Sequence, residues 1–259
     1  MVNEIPFTEI AVVIAGHGST LSAQSSRATR ALVERLNEMA IFAEVHATFW
    51  KEEPYFCEVF EQINCEHVWV VPHFISEGYF TQQVIPRELG LTGAITVRDG
   101  FCIRYCEPVG SHAGMTDLLL SRAIAAAGES EPSETSLMLV GHGTDKDEGS
   151  ARAVRYQVGE MTRRSERFAE VVGLYLDQAP HLSEWQELSH ARNVVVLPFF
   201  IAEGLHFTRD LPKILGLEPG FEQRFYEVGQ RRVFCTTAVG GDPAMVDFVI
   251  DQIKNFEER

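Results

Sequence analysis

Two histidines and two carboxylates in the second half of the chain are spaced for metal or proton chemistry. His142, Asp177 and the pair Glu203 and His206 each follow a separate apolar segment that resembles a buried strand. The carboxyl ends of parallel strands meet at one edge of a sheet, so we expect these side chains to converge. Imidazole together with carboxylate suits Co, Ni, Fe or Zn better than Mg or Ca, which prefer oxygen ligands throughout.

Each of these residues also has a purely structural interpretation. A single loop histidine is commonly solvated or hydrogen-bonded, and an aspartate that ends a strand is commonly a turn former or helix cap. The occurrence of His142 and His206 at two strand ends of one unit favours a site. Asp177 stays open between the two interpretations. So does Glu203, because its counterpart Glu77 indicates a role in the loop.

The chain contains an internal repeat, which places these residues in one copy of a unit. The segment 70–78 resembles 196–204, and Pro72 and Pro198 stand 126 positions apart. Gly-His-Gly-Ser at 16–19 pairs with Gly-His-Gly-Thr at 141–144 in the same order along the chain. A short polar stretch at 128–133 separates the copies. We therefore predict an N-terminal unit at 1–130 and a C-terminal unit at 131–259.

Apolar runs alternate with segments of helical periodicity in both copies. We predict strands at 10–15, 45–50, 68–71, 102–106, 137–140, 171–176, 194–197 and 233–237. The helical or connecting segments between them are 25–40, the residues after Pro54, 82–89, 114–127, 150–163, 181–191, 208–215 and 244–256. This pattern is typical of an α/β fold with two tandem units, each a four-stranded parallel sheet with helices on both faces. We expect a cleft between the units.

Composition excludes several classes of partner. The 259 residues include 22 Lys and Arg against 37 Asp and Glu, a formal net charge of −15. Such a surface binds nucleic acid and anionic membranes poorly, although it attracts metal cations. No long apolar run predicts a membrane span, and Met1–Phe7 lacks the basic start of a signal peptide. The five cysteines include no C-x-x-C pair, so we expect buried thiols and a cytoplasmic protein.

These motifs resemble the CbiX/SirB class II chelatases. The resemblance rests on Gly-His-Gly-Ser/Thr after the first strand, on Pro-Phe-Phe-Ile-x-Glu-Gly-x-His-x-x-x-Asp-Leu-Pro at 198–212, and on Val-Gly-Gly-Asp-Pro at 239–243. It covers nearly the whole chain. It implies insertion of Co²⁺, Ni²⁺ or Fe²⁺ into sirohydrochlorin or a related tetrapyrrole without ATP, with cobalt preferred. His142 and His206 match the family's metal-site histidines, and Asp177 matches its acidic residue after the second strand.

The first copy departs from this pattern. His17 is retained as a candidate metal ligand, but Phe80 replaces the counterpart of His206 and Lys51 replaces that of Asp177. Glu52 and Glu53 stand next to Lys51. His73 either partners His17 in a rearranged second site or is a structural histidine. The cysteine-rich tail and histidine-rich stretch of long family members are absent from this sequence, so we predict no iron–sulfur cluster.

A chelatase must bind a metal, accept two pyrrole protons and hold a polycarboxylate ring. We assign His142 and His206 to metal and protons, with Asp177 or Glu203 offsetting charge. Apolar contacts to the ring would come from Leu205 and Phe207, together with Phe199 and Phe200, although such aromatics are commonly core. Cationic candidates for the ring carboxylates are Arg209 and Lys213, followed by Lys146, Arg152 and Arg155, for which a solvated helix face is the alternative.

Three other functions are alternatives to a chelatase. A non-catalytic metal- or tetrapyrrole-binding protein would carry the same histidines. A hydrolase with Ser19 or Thr144 as nucleophile lacks the Gly-x-Ser-x-Gly elbow, and a nucleotide-binding sheet lacks both a P-loop and Gly-x-Gly-x-x-Gly after its first strand. The fused repeat removes the need for a homodimer, so we expect a monomer whose partner is a small tetrapyrrole.

Overall fold

The computed structural model describes residues 5–144, 148–204, 206–217 and 225–256, without the side chain of His206. The described residues form an α/β fold with two five-stranded sheets. The strands of the first sheet are β1 (Ile10–Gly16), β2 (Glu44–Phe49), β3 (His67–Pro72), β4 (Ile95–Arg98) and β5 (Phe101–Tyr105). The strands of the second are β6 (Thr135–Gly141), β7 (Glu170–Tyr175), β8 (Asn193–Pro198), β9 (Tyr226–Val228) and β10 (Arg231–Cys235).

The α-helices alternate with these strands along the chain. They are α1 (Gln24–Glu38), α2 (Ile85–Leu89), α3 (Met115–Ala127), α4 (Gly149–Arg164), α5 (Trp185–Leu188), α6 (Leu211–Leu215) and α7 (Met245–Lys254). Two π-helical turns, Phe80–Val84 and His206–Asp210, lead directly into α2 and α6. Short 3₁₀ turns span Phe7–Glu9, Phe56–Gln62, Val109–Ser111, Pro132–Glu134, Leu182–Glu184 and Val239–Gly241.

Both sheets have the same topology, as the repeat predicts. The strand orders are β2-β1-β3-β5-β4 and β7-β6-β8-β10-β9. In each sheet the first four strands of the order pair in parallel, and the last strand pairs antiparallel to its neighbour. The central strands β1 and β6 are buried along all seven residues. This burial explains the apolar runs at 10–15 and 137–140, because parallel strands inside a layered fold have both faces covered.

The α/β class and the two-unit organisation are confirmed, but the prediction of four parallel strands per sheet omitted one. β4 and β9 span four and three residues, too short for a periodic signal. The turn residues could have revealed the extra strand. Asp99 and Gly100, between β4 and β5, both adopt positive φ, at 50° and 84°. Asp-Gly is a strong indicator of a two-residue hairpin. Gly229, with φ 62°, occupies the corresponding turn between β9 and β10.

Two predicted helices are shorter than expected. The segment after Pro54 forms the 3₁₀ turn Phe56–Gln62, and 181–191 contains the turn Leu182–Glu184 followed by the four-residue α5. Both begin with a capping box, in which Glu58 and Glu184 bond back to the preceding backbone. Among the described residues, no helix is long and apolar enough to span a membrane.

The compact units do not coincide with the sequence repeats. One unit comprises residues 1–112 and 240–259, and the other comprises 113–239. In the first, α7 lies against α1, and Arg35 donates to the carbonyl of Gly241 at 3.2 Å. In the second, α3 packs on α4 and β8, with a buried bond of 2.7 Å from Thr116 Oγ1 to Gln157 Oε1. The division at 130 follows the repeat, whereas each compact unit contains the last helix of the other copy: α7 lies in the first unit and α3 in the second. We call these the first and second units.

Candidate functional site

The candidate residues of the second unit lie at the carboxyl ends of three adjacent parallel strands. His142 directly follows β6, and Asp177 stands two residues after β7. Glu203 lies half-buried in the connection that follows β8. Since β6 pairs with both β7 and β8, the three connections share one edge of the sheet. This is where ligands bind in parallel α/β sheets.

The loop that carries His142 is fixed by its backbone. Gly143 adopts a φ of +70°, and a Cβ at this position would collide with the side chain of Gln178. The Thr144 N–H donates to Gln178 Oε1 at 2.8 Å. The carbonyl of His142 in turn accepts from the Asp177 N–H at 3.0 Å. Glycine is therefore required at 143, and the loop holds the histidine and the aspartate side by side.

His142 and Asp177 form an accessible imidazole–carboxylate pair. His142 Nδ1 lies 4.0 Å from Asp177 Oδ2, and the two side chains are 46% and 62% exposed. On its other side the imidazole lies 5.0 Å from the ring of buried Phe200. The carboxylate can stabilise positive charge on the imidazole, whether it comes from a proton or from a metal. The pair is thus suited to receiving a cation from solvent.

The remaining predicted members of this site are described only in part. The backbone of His206 begins the π-helical turn that precedes α6, but its side chain lies outside the described residues. Leu205 and Lys146 also lie outside them. Within the part of the chain that is described, no three His, Cys, Asp or Glu side chains are grouped closely enough to hold a metal ion. A complete metal site therefore needs a further ligand beside His142 and Asp177.

The aromatic residues assigned to the ring belong to the core. Phe199, Phe200 and Phe207 are 2%, 5% and 3% exposed. Phe200 and Phe207 pack with Trp185 and Leu211 in the apolar core of the second unit. Phe207 is therefore a core residue rather than an accessible contact, because the π-helical turn directs it inward. Among the predicted cationic residues, Arg209 on this turn and Lys213 on α6 are exposed, as are Arg152 and Arg155 on α4.

The first unit has the same loop with different side chains. His17 follows β1, Gly18 has a φ of +66°, and the His17 carbonyl accepts from the Lys51 N–H at 3.0 Å. Lys51 thus occupies the position of Asp177, as the repeat predicts. The Ser19 N–H donates to Glu52 Oε1 at 3.0 Å, so Glu52 is the counterpart of Gln178.

Neither Glu52 nor His73 builds a second metal site with His17. Glu52 also accepts from Ser26 Oγ at 3.0 Å and pairs with Arg30, so its carboxylate secures the loop. His73 is 1% exposed, and its Nδ1 is bonded to Thr29 Oγ1 on α1 at 2.9 Å. Burial lowers its pKa from 6.5 to about 4, although a backbone hydrogen bond with Gly240 opposes the shift. His73 is a neutral structural histidine, which was the alternative interpretation.

Sequence reasoning missed the two loop anchors, Glu52 and Gln178. Their signal was the 126-residue offset, which pairs them directly after the already aligned Lys51 and Asp177. None of the five cysteines forms a disulfide bond. Burial raises the pKa of the Cys106 and Cys235 thiols to about 12. Cys106 is therefore an inert core group, and Cys235 packs partly buried against the core of the second unit.

Comparison with known proteins defines the family. The CbiX family model matches residues 11–126 and 136–256, one match for each sequence repeat. A protein of Halobacterium salinarum named probable sirohydrochlorin cobaltochelatase is 35% identical over 93% of this chain and 90% of its own length. The chain belongs to the CbiX family.

Solved structures share the fold. A multi-domain protein of Deinococcus radiodurans, described as structurally similar to chelatases, aligns with a TM-score of 0.78 and 27% identity. The alignment covers 96% of this chain but only 56% of that longer one. SirB of Bacillus subtilis, solved with Fe³⁺, aligns with a TM-score of 0.73 over 95% of this chain and 94% of SirB, at 16% identity. The structural similarity thus covers both sheets.

Proposed function

We propose that this protein is a metal chelatase that inserts a divalent metal, preferentially Co²⁺, into sirohydrochlorin or a related tetrapyrrole without ATP. The observation that carries the proposal is the exposed His142–Asp177 pair, 4.0 Å apart at the strand-end edge of the second unit. Membership of the CbiX family and the name of the Halobacterium relative supply the reaction class and the favoured metal. Ni²⁺ and Fe²⁺ accept the same ligands and remain alternative substrates.

Metal insertion requires a hydrated cation to be held while two pyrrole protons leave the ring. Neutral imidazole can perform both tasks near pH 7. We assign His142 and His206 to holding the incoming metal and accepting protons. Asp177 stabilises the charge that His142 then carries, and Glu203 supports the same connection. The metal ion is a substrate in this scheme, so its site must also release it.

The remaining assignments concern the ring and the first unit. Arg209 and Lys213 are exposed and positively charged, and we assign them to the ring carboxylates. His17 keeps a histidine at the equivalent strand end, but Lys51 occupies the position of the carboxylate. A cation beside His17 disfavours divalent metal there. We therefore assign metal handling mainly to the second unit and give His17 a lesser part.

The decisive assay mixes protein, sirohydrochlorin and Co²⁺, Ni²⁺ or Fe²⁺ without nucleotide and follows the visible spectrum. The proposal predicts many equivalents of metallated product per protein, with the highest rate for Co²⁺. His142→Ala should lower turnover about 10³-fold while the protein stays folded. His190→Ala is the matched control, because this exposed histidine precedes β8 at the opposite edge of the sheet. Equal losses in both variants would refute the assignment of His142.

A non-catalytic binding protein is the alternative that the same assay tests. It is favoured by one observation: in the described part of the chain, His142 and Asp177 do not form part of a three-ligand group. A binding protein would bind metal or tetrapyrrole in stoichiometric amount and stop. Product that continues to accumulate after one equivalent excludes it. Product that stops at one equivalent, or no product with any of the three metals, would overturn the chelatase proposal.

A further inference from the structure

We propose that a partly exposed cluster of aromatic rings and a lysine on the first unit binds the conjugated polycarboxylate ring. This cluster, the aromatic–lysine face, consists of His17, Trp50, Lys51 and Phe80. It rests on the proposed function, because it names the residues that hold the substrate of that reaction. It differs from the assignments above, which placed ring contacts on the second unit alone.

The face contains three rings in mutual contact, which can pack against part of a conjugated ligand. The rings of His17 and Phe80 lie 4.7 Å apart, those of Trp50 and Phe80 5.0 Å, and those of His17 and Trp50 5.5 Å. All three pairs are edge-on, so the rings support one another. His17 is exposed, whereas Trp50 and Phe80 are partly exposed. Trp50 also packs against the apolar core of this unit, so the accessible part of the face comprises His17, Lys51 and the outer parts of the Trp50 and Phe80 rings.

Lys51 places a positive charge on this apolar surface. Its Nζ lies 3.6 Å from the centre of the Trp50 ring, and its side chain is exposed. The nearest carboxylates along the chain are Glu52 and Glu53. Glu52 is engaged by Arg30, Ser19 and Ser26. Glu53 is exposed, and its carbonyl accepts from Arg30 at 2.7 Å. An ammonium group held over an indole can contact both the conjugated face of a bound ligand and one of the ligand's carboxylates.

Other surfaces of the same unit suit this ligand less well. A cavity of about 620 Å³ lies between the segment after β3 and α7, but Glu77, Glu107 and Asp251 are among its lining residues. Three carboxylates repel a polycarboxylate ring. In a protein with a net charge of −15, a lysine on an aromatic surface can recognise both the ring face and its acidic substituents.

The experiment measures binding and turnover separately in the full chain. Metal-free sirohydrochlorin is titrated by its own fluorescence, and KM and kcat are measured with Co²⁺. Lys51→Glu should weaken binding about tenfold and raise KM similarly, because repulsion replaces attraction. Its kcat should change little, since Lys51 acts on binding. Lys51→Gln should give a smaller loss, and Trp50→Phe should retain most of the affinity because it keeps an aromatic surface.

Lys254→Glu is the matched control for the charge change. Lys254 is an exposed lysine of the first unit with its Nζ 5.9 Å from the Phe7 ring, and it lies outside the face. The Lys254→Glu variant should have a dissociation constant for sirohydrochlorin within about twofold of the parent value. Unchanged binding and KM in folded Lys51→Glu and Lys51→Gln would overturn the inference.

The two proposals fail in different ways. If the parent protein binds sirohydrochlorin but inserts no metal, the proposed function fails. A loss of binding in the Lys51 variants would then still support the aromatic–lysine face. If the parent turns over normally and the Lys51 variants match it in affinity and KM, the inference fails and the proposed function stands. Thermal unfolding of each variant checks that a loss of binding does not reflect a loss of fold.

Discussion

The histidine loops at the carboxyl ends of the parallel strands have the same backbone structure in the two units. The side chains beside the two histidines carry opposite charges. In both, a glycine with positive φ follows the histidine, and the histidine carbonyl accepts from the N–H at position 51 or 177 at 3.0 Å. In both, a side-chain oxygen of the next residue accepts from the loop, 3.0 Å for Glu52 and 2.8 Å for Gln178. The side chain beside the histidine is lysine in one unit and aspartate in the other.

This comparison separates what holds the loop from what does chemistry. The backbone bonds are the same because they depend on glycine and on an acceptor at position 52 or 178, which both copies keep. The side chains that face outward have diverged, since nothing in the fold requires them. Asp177 suits a cation, whereas Lys51 with Trp50 and Phe80 suits an anionic aromatic ligand. The chemistry of the repeat has diverged on a constant scaffold.

The largest expected effect tests which histidine carries the reaction. His142→Ala should lower the rate of metal insertion about 10³-fold, the range expected for a lost proton acceptor that also binds metal. His17→Ala, the same change in the other unit, should cost much less. Visible spectra of metallated product, measured in parallel for both variants, compare the two edges directly. A dead His17 variant beside an active His142 variant would reverse the assignment.

The second expected effect concerns the buried position after β3, which is His73 in one unit and Phe199 in the other. Because burial holds the pKa of His73 at about 4 in the fold against 6.5 ordinarily, the unfolded chain takes up its proton first as the pH falls. The stabilisation is complete above pH 6.5 and is lost between pH 6.5 and 4. The free energy of unfolding should fall by about 3 kcal/mol from this group over that window.

His73→Phe isolates this contribution by copying the second unit. The variant loses the bond to Thr29, so its absolute stability is not the readout. The readout is the slope of unfolding free energy against pH, which should be shallower than in the parent between pH 6.5 and 4. Identical slopes in parent and His73→Phe would show that burial does not lower the pKa of His73 in the fold.

The third expected effect concerns the carboxylate beside His142. Asp177→Asn keeps the shape of the side chain but removes its charge, so metal affinity and insertion rate should fall about tenfold. Asp117→Asn is the control, because this exposed aspartate pairs with Arg164 on the helical side of the unit. Co²⁺ titration and the insertion assay measure both variants. An unchanged Asp177→Asn would reduce Asp177 to a turn residue, the interpretation that the sequence leaves open.

The central strands and the repeat were predictable because both are visible in the order of the residues. The strands β1 and β6 contain the apolar runs 10–15 and 137–140, and the 126-residue offset correctly pairs Lys51 with Asp177. The hairpin strands β4 and β9 were missed because three or four residues show no period, although Asp99-Gly100 was readable. The π-helical turns before α2 and α6 have no such signal, because they use the same residue types as α-helices. Phe207, which was predicted to contact the ring, lies on such a turn and packs in the core.

The smallest expected effect tests whether the two loop anchors are interchangeable. Glu52→Ala removes the acceptor for Ser19 N–H and Ser26 Oγ and should lower the free energy of unfolding by about 1 to 2 kcal/mol. Gln178→Ala leaves one loop N–H, that of Thr144, without this acceptor and should cost about 1 kcal/mol. Glu52→Gln, which installs the residue of the second unit, should keep the Ser19 bond and lose only part of the stability. Denaturant unfolding of the three variants ranks them. If Glu52→Gln is as unstable as Glu52→Ala, the charge pairing with Arg30 holds the loop rather than the shared hydrogen bond, and the two scaffolds are less alike than their geometry indicates.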